Sequence, residues 1–285
     1  MRHQSVIASV FAALGASLLA PLALAAPLVF ESAGANPAAI APTRDAFRSA
    51  IGGGTIAGPA GSFGGLRREI NWDGVPDSLS DPSLLPANFF NVNSPRGVVF
   101  ITPGSGFMVS ANAGRATPVL FGFANDFQTF SSQRLFTAVN SNITDVNFFL
   151  PGTATEATTG AFGLIFSDVE VAGATKVQFF DANDNLIFTR DALVAVNPGL
   201  SFLGVAFGDT VIGRVRITSG ANTIGSNGAL GNPSDDVVVM DDFLYAEPSI
   251  AAVPEPQTYA LMSIGLMALT LVVRRRALQA STTRL

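Results

Sequence analysis

From Gly97 to Tyr245 the chain is a succession of short runs of Val, Ile and Phe, each cut off by Gly, Pro, Asn or Asp. That punctuation leaves no room for a long helix and restricts the chain to an all-β fold. The runs are Gly97 to Thr102, Phe107 to Ala111, Leu135 to Val139, Val146 to Leu150 and Phe162 to Phe166. They continue with Lys176 to Phe180, Leu186 to Thr189, Phe202 to Phe207, Val211 to Thr218 and Val237 to Tyr245. Antiparallel pairing into a jelly-roll-like β-sandwich is the expected architecture. Gly213 breaks the alternation of its run and predicts a bulge there. The 23 phenylalanines against two tyrosines and one tryptophan predict a dry aromatic core. Ahead of the strands, Thr43 to Ile51 reads as a short helix, with Thr43 as cap, Asp45 in its first turn and Gly52 past its end.

What the chain lacks excludes much of chemistry. It has no cysteine, and its only histidine is His3. Ser-His-Asp and Cys-His catalysis and the usual zinc ligands are therefore ruled out, as is a disulfide framework. Between Leu28 and Pro248 there are 11 Arg plus Lys against 20 Asp plus Glu, a net charge of −9. Such a domain has no basic footprint for nucleic acid.

Both ends read as addresses. Arg2 and His3 precede an apolar stretch from Val6 to Leu19, and Ala23 and Ala25 supply small residues at the positions a signal peptidase reads. Residues 1–25 are thus expected to be a cleaved signal peptide, and 26–248 the exported domain. Residues 249–285 hold a Pro-Glu-Pro triplet (254–256), an uncharged run from Tyr259 to Val273, and Arg274, Arg275 and Arg276. The two prolines predict an extended approach, and a 15-residue helix reaches roughly 22 Å, short of a ~30 Å bilayer core. The arginine triplet predicts a basic stop on the cytoplasmic side.

Three places carry the candidate chemistry. Asn71, Trp72 and Asp73 combine the only tryptophan with polar neighbours, the composition of a sugar-stacking face. The competing reading makes Trp72 a buried anchor at the end of a strand. Glu69 and Asp73 are the best carboxylate pair near it. On a strand they stand ~13 Å apart at ~3.3 Å per residue, beyond the ~5–9.5 Å of glycosidases. No catalytic residue and no cofactor are therefore expected, with a carboxylate-based glycan hydrolase or lyase as the alternative. Asp181 to Asn185 alternates oxygen side chains but lacks the remaining ligands of a calcium loop, and reads as a hairpin turn. Asp235, Asp236, Asp241 and Asp242 crowd the last run. On a strand Asp241 and Asp242 point to opposite faces. One of them with Glu31 is the candidate for a structural Ca²⁺, against an Arg214 or Arg216 partner.

Val253, Pro254, Glu255 and Pro256, the apolar run and the arginine cluster together resemble the PEP-CTERM sorting domain of Gram-negative bacteria. The segments Arg68 to Pro76, Ala87 to Val98, Ala161 to Val171, Ser201 to Phe207 and Asp236 to Pro248 resemble a recurrent exported protein type that carries it. The resemblance implies processing by an exosortase, a membrane cysteine transpeptidase, from a precursor held in the inner membrane by its C-terminal helix. It further implies a non-enzymatic, jelly-roll surface or extracellular-matrix protein of a biofilm setting, structural, adhesive or associated with exopolysaccharide or envelope glycan.

Overall fold

The computed structural model describes residues 26–111, 121, 123, 125–209, 211–225, 236–250 and 256–282. Ala23, Ala25, Asp235, Val253, Pro254 and Glu255 lie outside them. The chain separates into two compact units, Met1–Ser249 and Ile250–Leu285.

The larger unit opens with β1 (Leu28–Gly34) and α1 (Pro37–Ile51), then β2 (Ser62–Phe63) and β3 (Arg67–Ile70). The one-turn α2 (Phe89–Val92) precedes β4 (Val98–Ile101), β5 (Gly106–Val109), β6 (Phe136–Val139) and β7 (Ile143–Phe148). β8 (Ala161–Ser167), β9 (Lys176–Phe180) and β10 (Leu186–Asp191) follow, then β11 (Leu200–Ala206), β12 (Arg214–Thr218) and β13 (Val239–Ala246). One sheet has the order β1-β11-β8-β13-β3-β2, with β6 also bonded to β13 and β5 to β6; the other has the order β10-β9-β12-β7-β4. Every ladder between strands is antiparallel. From β7 onward the chain crosses repeatedly between the two sheets, so their facing sides close on one core.

That core is aromatic. Phe100, Val146, Phe148, Val177, Phe179 and Val215 of the smaller sheet share a cluster with Phe136, Phe162, Leu164, Phe166, Phe243 and Tyr245 of the larger. The outer face of the larger sheet is covered by α1, whose Ile40 and Phe47 pack with Ala161, Ile165, Leu200, Phe202 and Leu244. Gly163 and Gly204 pair across β8 and β11 directly beneath Phe47. A Cβ at Gly204 would stand 2.8 Å from the Phe47 ring, and one at Gly163 2.9 Å. The hollow that seats the helix is therefore made by the two missing side chains.

The helix starts earlier than its Thr43 signal predicts. Asn36 caps it by accepting from Ala39 N at 3.2 Å, Pro37 occupies its first turn, and Pro42 lies inside it. Proline is tolerated at Pro37 because the first N–H groups have no helical partner, whereas Pro42 removes one internal bond. Burial of Ile40 and Phe47, one on either side of Pro42, holds the helix across that gap. The predicted bulge at Gly213 is also displaced. A Cβ there would meet Ala182 Cα and the Asp181 carbonyl at 2.9 Å, so Gly213 serves a close backbone approach. Register shifts fall instead in β13, between Met240 and Phe243, and in β10, between Leu186 and Phe188.

In the smaller unit, α3 runs from Pro256 to Thr282. Pro256 begins the helix and is not extended, because a first-turn proline loses no helical hydrogen bond. The arginines at 274–276 end the apolar run without ending the helix. Met262, Ile264, Leu266, Met267, Leu269 and Leu271 are all more than half exposed, so the helix is apolar around its circumference. Among the described residues no helix is long and apolar enough to cross a membrane.

Candidate functional site

The segment from Arg67 to Pro76 begins in β3, and its charged and aromatic side chains are held by long-range partners. Glu69 accepts from Arg48 Nε at 2.7 Å, Arg48 Nη2 at 2.5 Å and Arg67 Nε at 2.9 Å. Arg67 also donates to the carbonyls of Gly52 and Gly54, which ties the end of α1 to β3. Arg68 grips Glu247 through Nε and Nη2, at 2.7–3.0 Å. These charges are largely buried, and each has its counter-charge in hydrogen-bonding range.

Trp72 is 1 % exposed. Its ring stacks on Phe136 at 3.9 Å with an interplanar angle of 3°, and Phe90 and Phe243 meet it edge-on at 5.4 and 5.1 Å. Its Nε1 donates to the Asp241 carbonyl at 3.0 Å. Of the two readings of Trp72, the buried anchor is the one found and the sugar-stacking face is not: three phenylalanines hold the ring inside the core, and its polar tip is satisfied by backbone. Asp73 does not face a ligand either. Its Oδ1 accepts from the amides of Gln133 and Arg134, at 2.5 and 3.1 Å. Burial raises its pKa, and the two amides and Arg134 oppose that rise. Of the three candidate contacts only Asn71 is exposed. It lines a cavity of about 220 Å³ with Trp72, Phe90, Asn93, Ser94 and Arg96. Arg96 donates to the Glu69 carbonyl at 3.0 Å, lies over Phe90 at 5.1 Å, and accepts from the Tyr245 hydroxyl through its own carbonyl. Burial pushes the Tyr245 hydroxyl far above the usual range, so it stays protonated as that donor.

The β13 bulge gathers a second group. Asp241 and Asp242 occupy the extra position opposite β8, so both carboxylates reach the Ser131 hydroxyl, at 3.3 and 2.7 Å. Strict alternation would have sent them to opposite faces; the inserted residue changes the phase of the pleat. Phe130 N donates to Asp241 Oδ2 at 2.5 Å. Burial first, and then the Asp242 charge, push the Asp241 carboxyl well above the carboxylate range. Burial also raises Asp242.

The candidate Ca²⁺ pairing of Glu31 with Asp241 or Asp242 does not assemble. Glu31 lies on β1, where Arg190 holds it through two hydrogen bonds, away from the bulge. Nor do Arg214 and Arg216 pair with the dyad, since both hold Asp145 on the smaller sheet. Asp181 accepts from the amides of Asn183 and Asn185 in the turn between β9 and β10. Arg48, Phe130 and Ser131, which complete these sites, carry no local signal in the sequence; only the packing brings them there.

Residues 252–276 match the model of the PEP-CTERM protein-sorting motif. No curated protein matches the chain at a significant level. The chain therefore carries a PEP-CTERM sorting signal, which implies export, a membrane-anchored precursor and processing by an exosortase.

Proposed function

We propose that this carrier of the PEP-CTERM motif is an exosortase-sorted cell-surface or extracellular-matrix protein. Its β-sandwich, of jelly-roll character, acts without catalysis as a structural, adhesive or glycan-associating module. The observation that carries this reading is the C-terminal tail, where the matched motif coincides with a helix exposing apolar side chains all round. In an exported chain such a surface is suited to lipid, and the basic residues at 274–276 are suited to the cytoplasmic side. The 15-residue apolar run is short, which fits a transient anchor.

A non-catalytic role is supported by the state of the carboxylates. Glu69 is held by two arginines, Asp73 accepts two backbone amides through its Oδ1, and the Asp241–Asp242 pair is buried with both carboxylates on the Ser131 hydroxyl. Glycan association rests on Asn71 and the cavity it shares with Asn93, Ser94 and Arg96. At about 220 Å³ it is smaller than the roughly 300–1,000 Å³ of most small-molecule sites, so it suits the edge of one sugar ring on a longer polymer.

The test is to produce the chain in a host with its exosortase and in one lacking it, then measure mature mass and membrane association. Loss of the C-terminal ~25–30 residues only where the enzyme is present, a length set by the motif against a ~30 Å bilayer, is the expected result. An intact tail in both strains would make α3 a permanent anchor and defeat the sorting reading.

A further inference from the structure

The cavity at Asn71 holds a positive charge that the protein does not neutralise. Every other arginine described in the Met1–Ser249 unit has a carboxylate in ion-pair range, whereas no described carboxylate stands within that range of Arg96. Burial lowers the Arg96 pKa, and the cation beside it, Arg68, is already paired to Glu247. The guanidinium is nonetheless fixed in place. Its Nε donates to the Glu69 carbonyl at 3.0 Å, its Nη1 donates to the Ser94 hydroxyl, and its Cζ lies over the Phe90 ring at 5.1 Å. Gly61, at φ 66°, leaves the space for it: a Cβ there would stand 2.5 Å from Arg96 Nε and 2.6 Å from the Glu69 carbonyl oxygen. Nη2 is bonded to no described residue and is not sealed from solvent. The side-chain amides of Asn71 and Asn93, at the exposed rim, are likewise bonded to no described residue. Beneath them Trp72, Val75, Phe89 and Phe90 make an apolar floor.

We infer that this cavity receives the carboxylate of an acidic sugar, a uronic acid unit of a polysaccharide, on Arg96, with Asn71 and Asn93 on the ring hydroxyls. This ligand class rests on the glycan-associating reading of the β-sandwich and narrows it to charged sugars. A carboxylate suits the position because its two oxygens match the planar guanidinium fork. A charge-assisted hydrogen bond of that kind is also stronger than one to a neutral hydroxyl. The amides on the rim offer both donors and acceptors, which is what hydroxyls require. Between Leu28 and Pro248 acidic residues outnumber basic ones, so no general field draws an anionic polymer to this unit. Retention therefore comes from the one local donor site, at an ionic strength where exposed charges beyond ~8 Å are screened.

The experiment uses the full chain, in a detergent without a sugar headgroup and at ~0.15 M salt. Calorimetric titration compares oligomers of glucuronic, galacturonic and mannuronic acid with the same oligomers after reduction of their carboxyls to alcohols, and with dextran sulfate. At least one uronate oligomer is expected to bind, its reduced form to bind roughly tenfold more weakly, and dextran sulfate to bind less well than the uronate. Arg96→Gln is expected to lower the uronate affinity to that of the reduced oligomer, whereas Asn71→Ala weakens both. Equal affinity for a uronate and its reduced form, or an Arg96→Gln variant that binds the uronate as the wild type does, overturns the acidic-sugar assignment and leaves glycan association standing. Dextran sulfate binding as tightly as the uronate marks a general anion site and overturns the assignment as well. Absence of binding to every oligomer, charged or reduced, overturns both readings. Should Arg96→Gln fail to fold, uronate affinity unchanged in both Asn71→Ala and Asn93→Ala, at exposed positions, overturns the inference instead.

Discussion

Asp241 and Asp242 are adjacent, buried and share one hydroxyl, so their charges cannot both be held cheaply. Asp73 faces Asp241 as a further negative charge, whereas Asp242 feels Glu69 as repulsion and Arg44 as attraction. Because burial raises both carboxyls, the folded chain keeps a proton that the unfolded chain releases. The pair's contribution is therefore greatest below the ordinary carboxylate range, and is lost as pH rises through the elevated folded values. Asp241→Asn retains an acceptor for Phe130 N and replaces the shared proton with an amide N–H. It is expected to raise stability at pH 8 by roughly 1 kcal/mol, the scale of one hydrogen bond, and to flatten the pH dependence between pH 5 and pH 8. Urea midpoints at the two pH values check this; a variant with the wild-type slope would show that the dyad carries no proton.

At the scale of elements, the seating of α1 on the larger sheet depends on an aromatic side chain filling a gap left by two glycines. Phe47 contacts Phe30 and Phe202 at centroid distances of 5.6 and 5.7 Å while lying over Gly163 and Gly204. Gly204→Ala places a methyl 2.8 Å from the Phe47 ring, and the neighbour is a fully buried phenylalanine with no room to withdraw. Overpacking of this kind costs about 1–3 kcal/mol, and chemical denaturation measures it directly. The same double variant with Phe47→Leu is expected to regain part of the loss, since the smaller side chain vacates the overlap. The Glu69 network fastens this same end of the helix, through Arg48 beside Phe47 and the Gly52 carbonyl, so the helix shifts little to relieve the strain.

At the scale of the whole molecule, the three apolar clusters of the described residues all lie within the Met1–Ser249 unit. The stability of that unit accordingly has its source there. Removing residues 250–285 is expected to leave its unfolding midpoint within ~2 °C, since substitutions and deletions away from a core seldom change stability beyond about 0.5 kcal/mol. Calorimetry of the truncated and full chains in the same detergent tests this, and a large fall in the midpoint would mean that the tail helps to hold the sandwich.

The sequence by itself determined the β class, most strand positions and the address at the C-terminus. Strand runs between Gly97 and Tyr245 are local patterns of Val, Ile and Phe, and the PEP-CTERM match is a local string at 252–276. Such signals survive without any partner, because turn chemistry and side-chain bulk act within a few residues. The edge strand β1 escaped notice because LVFESAG has neither alternation nor a turn signal, and acquires its conformation from pairing with β11. Only the tertiary structure decided the sites. Trp72 admits a binding ring as well as a core anchor until Phe136, 64 positions onward, stacks on it. Asp241 and Asp242 share a face because a bulge in β13 changes the pleat, and Ser131 meets them across 110 positions of chain. Asp168 Oδ1 is left buried without a partner where β8 ends, which its neighbours in the chain do not foretell. Burial and long-range contact set the charge state and exposure of a side chain, and neither is written in its immediate neighbours.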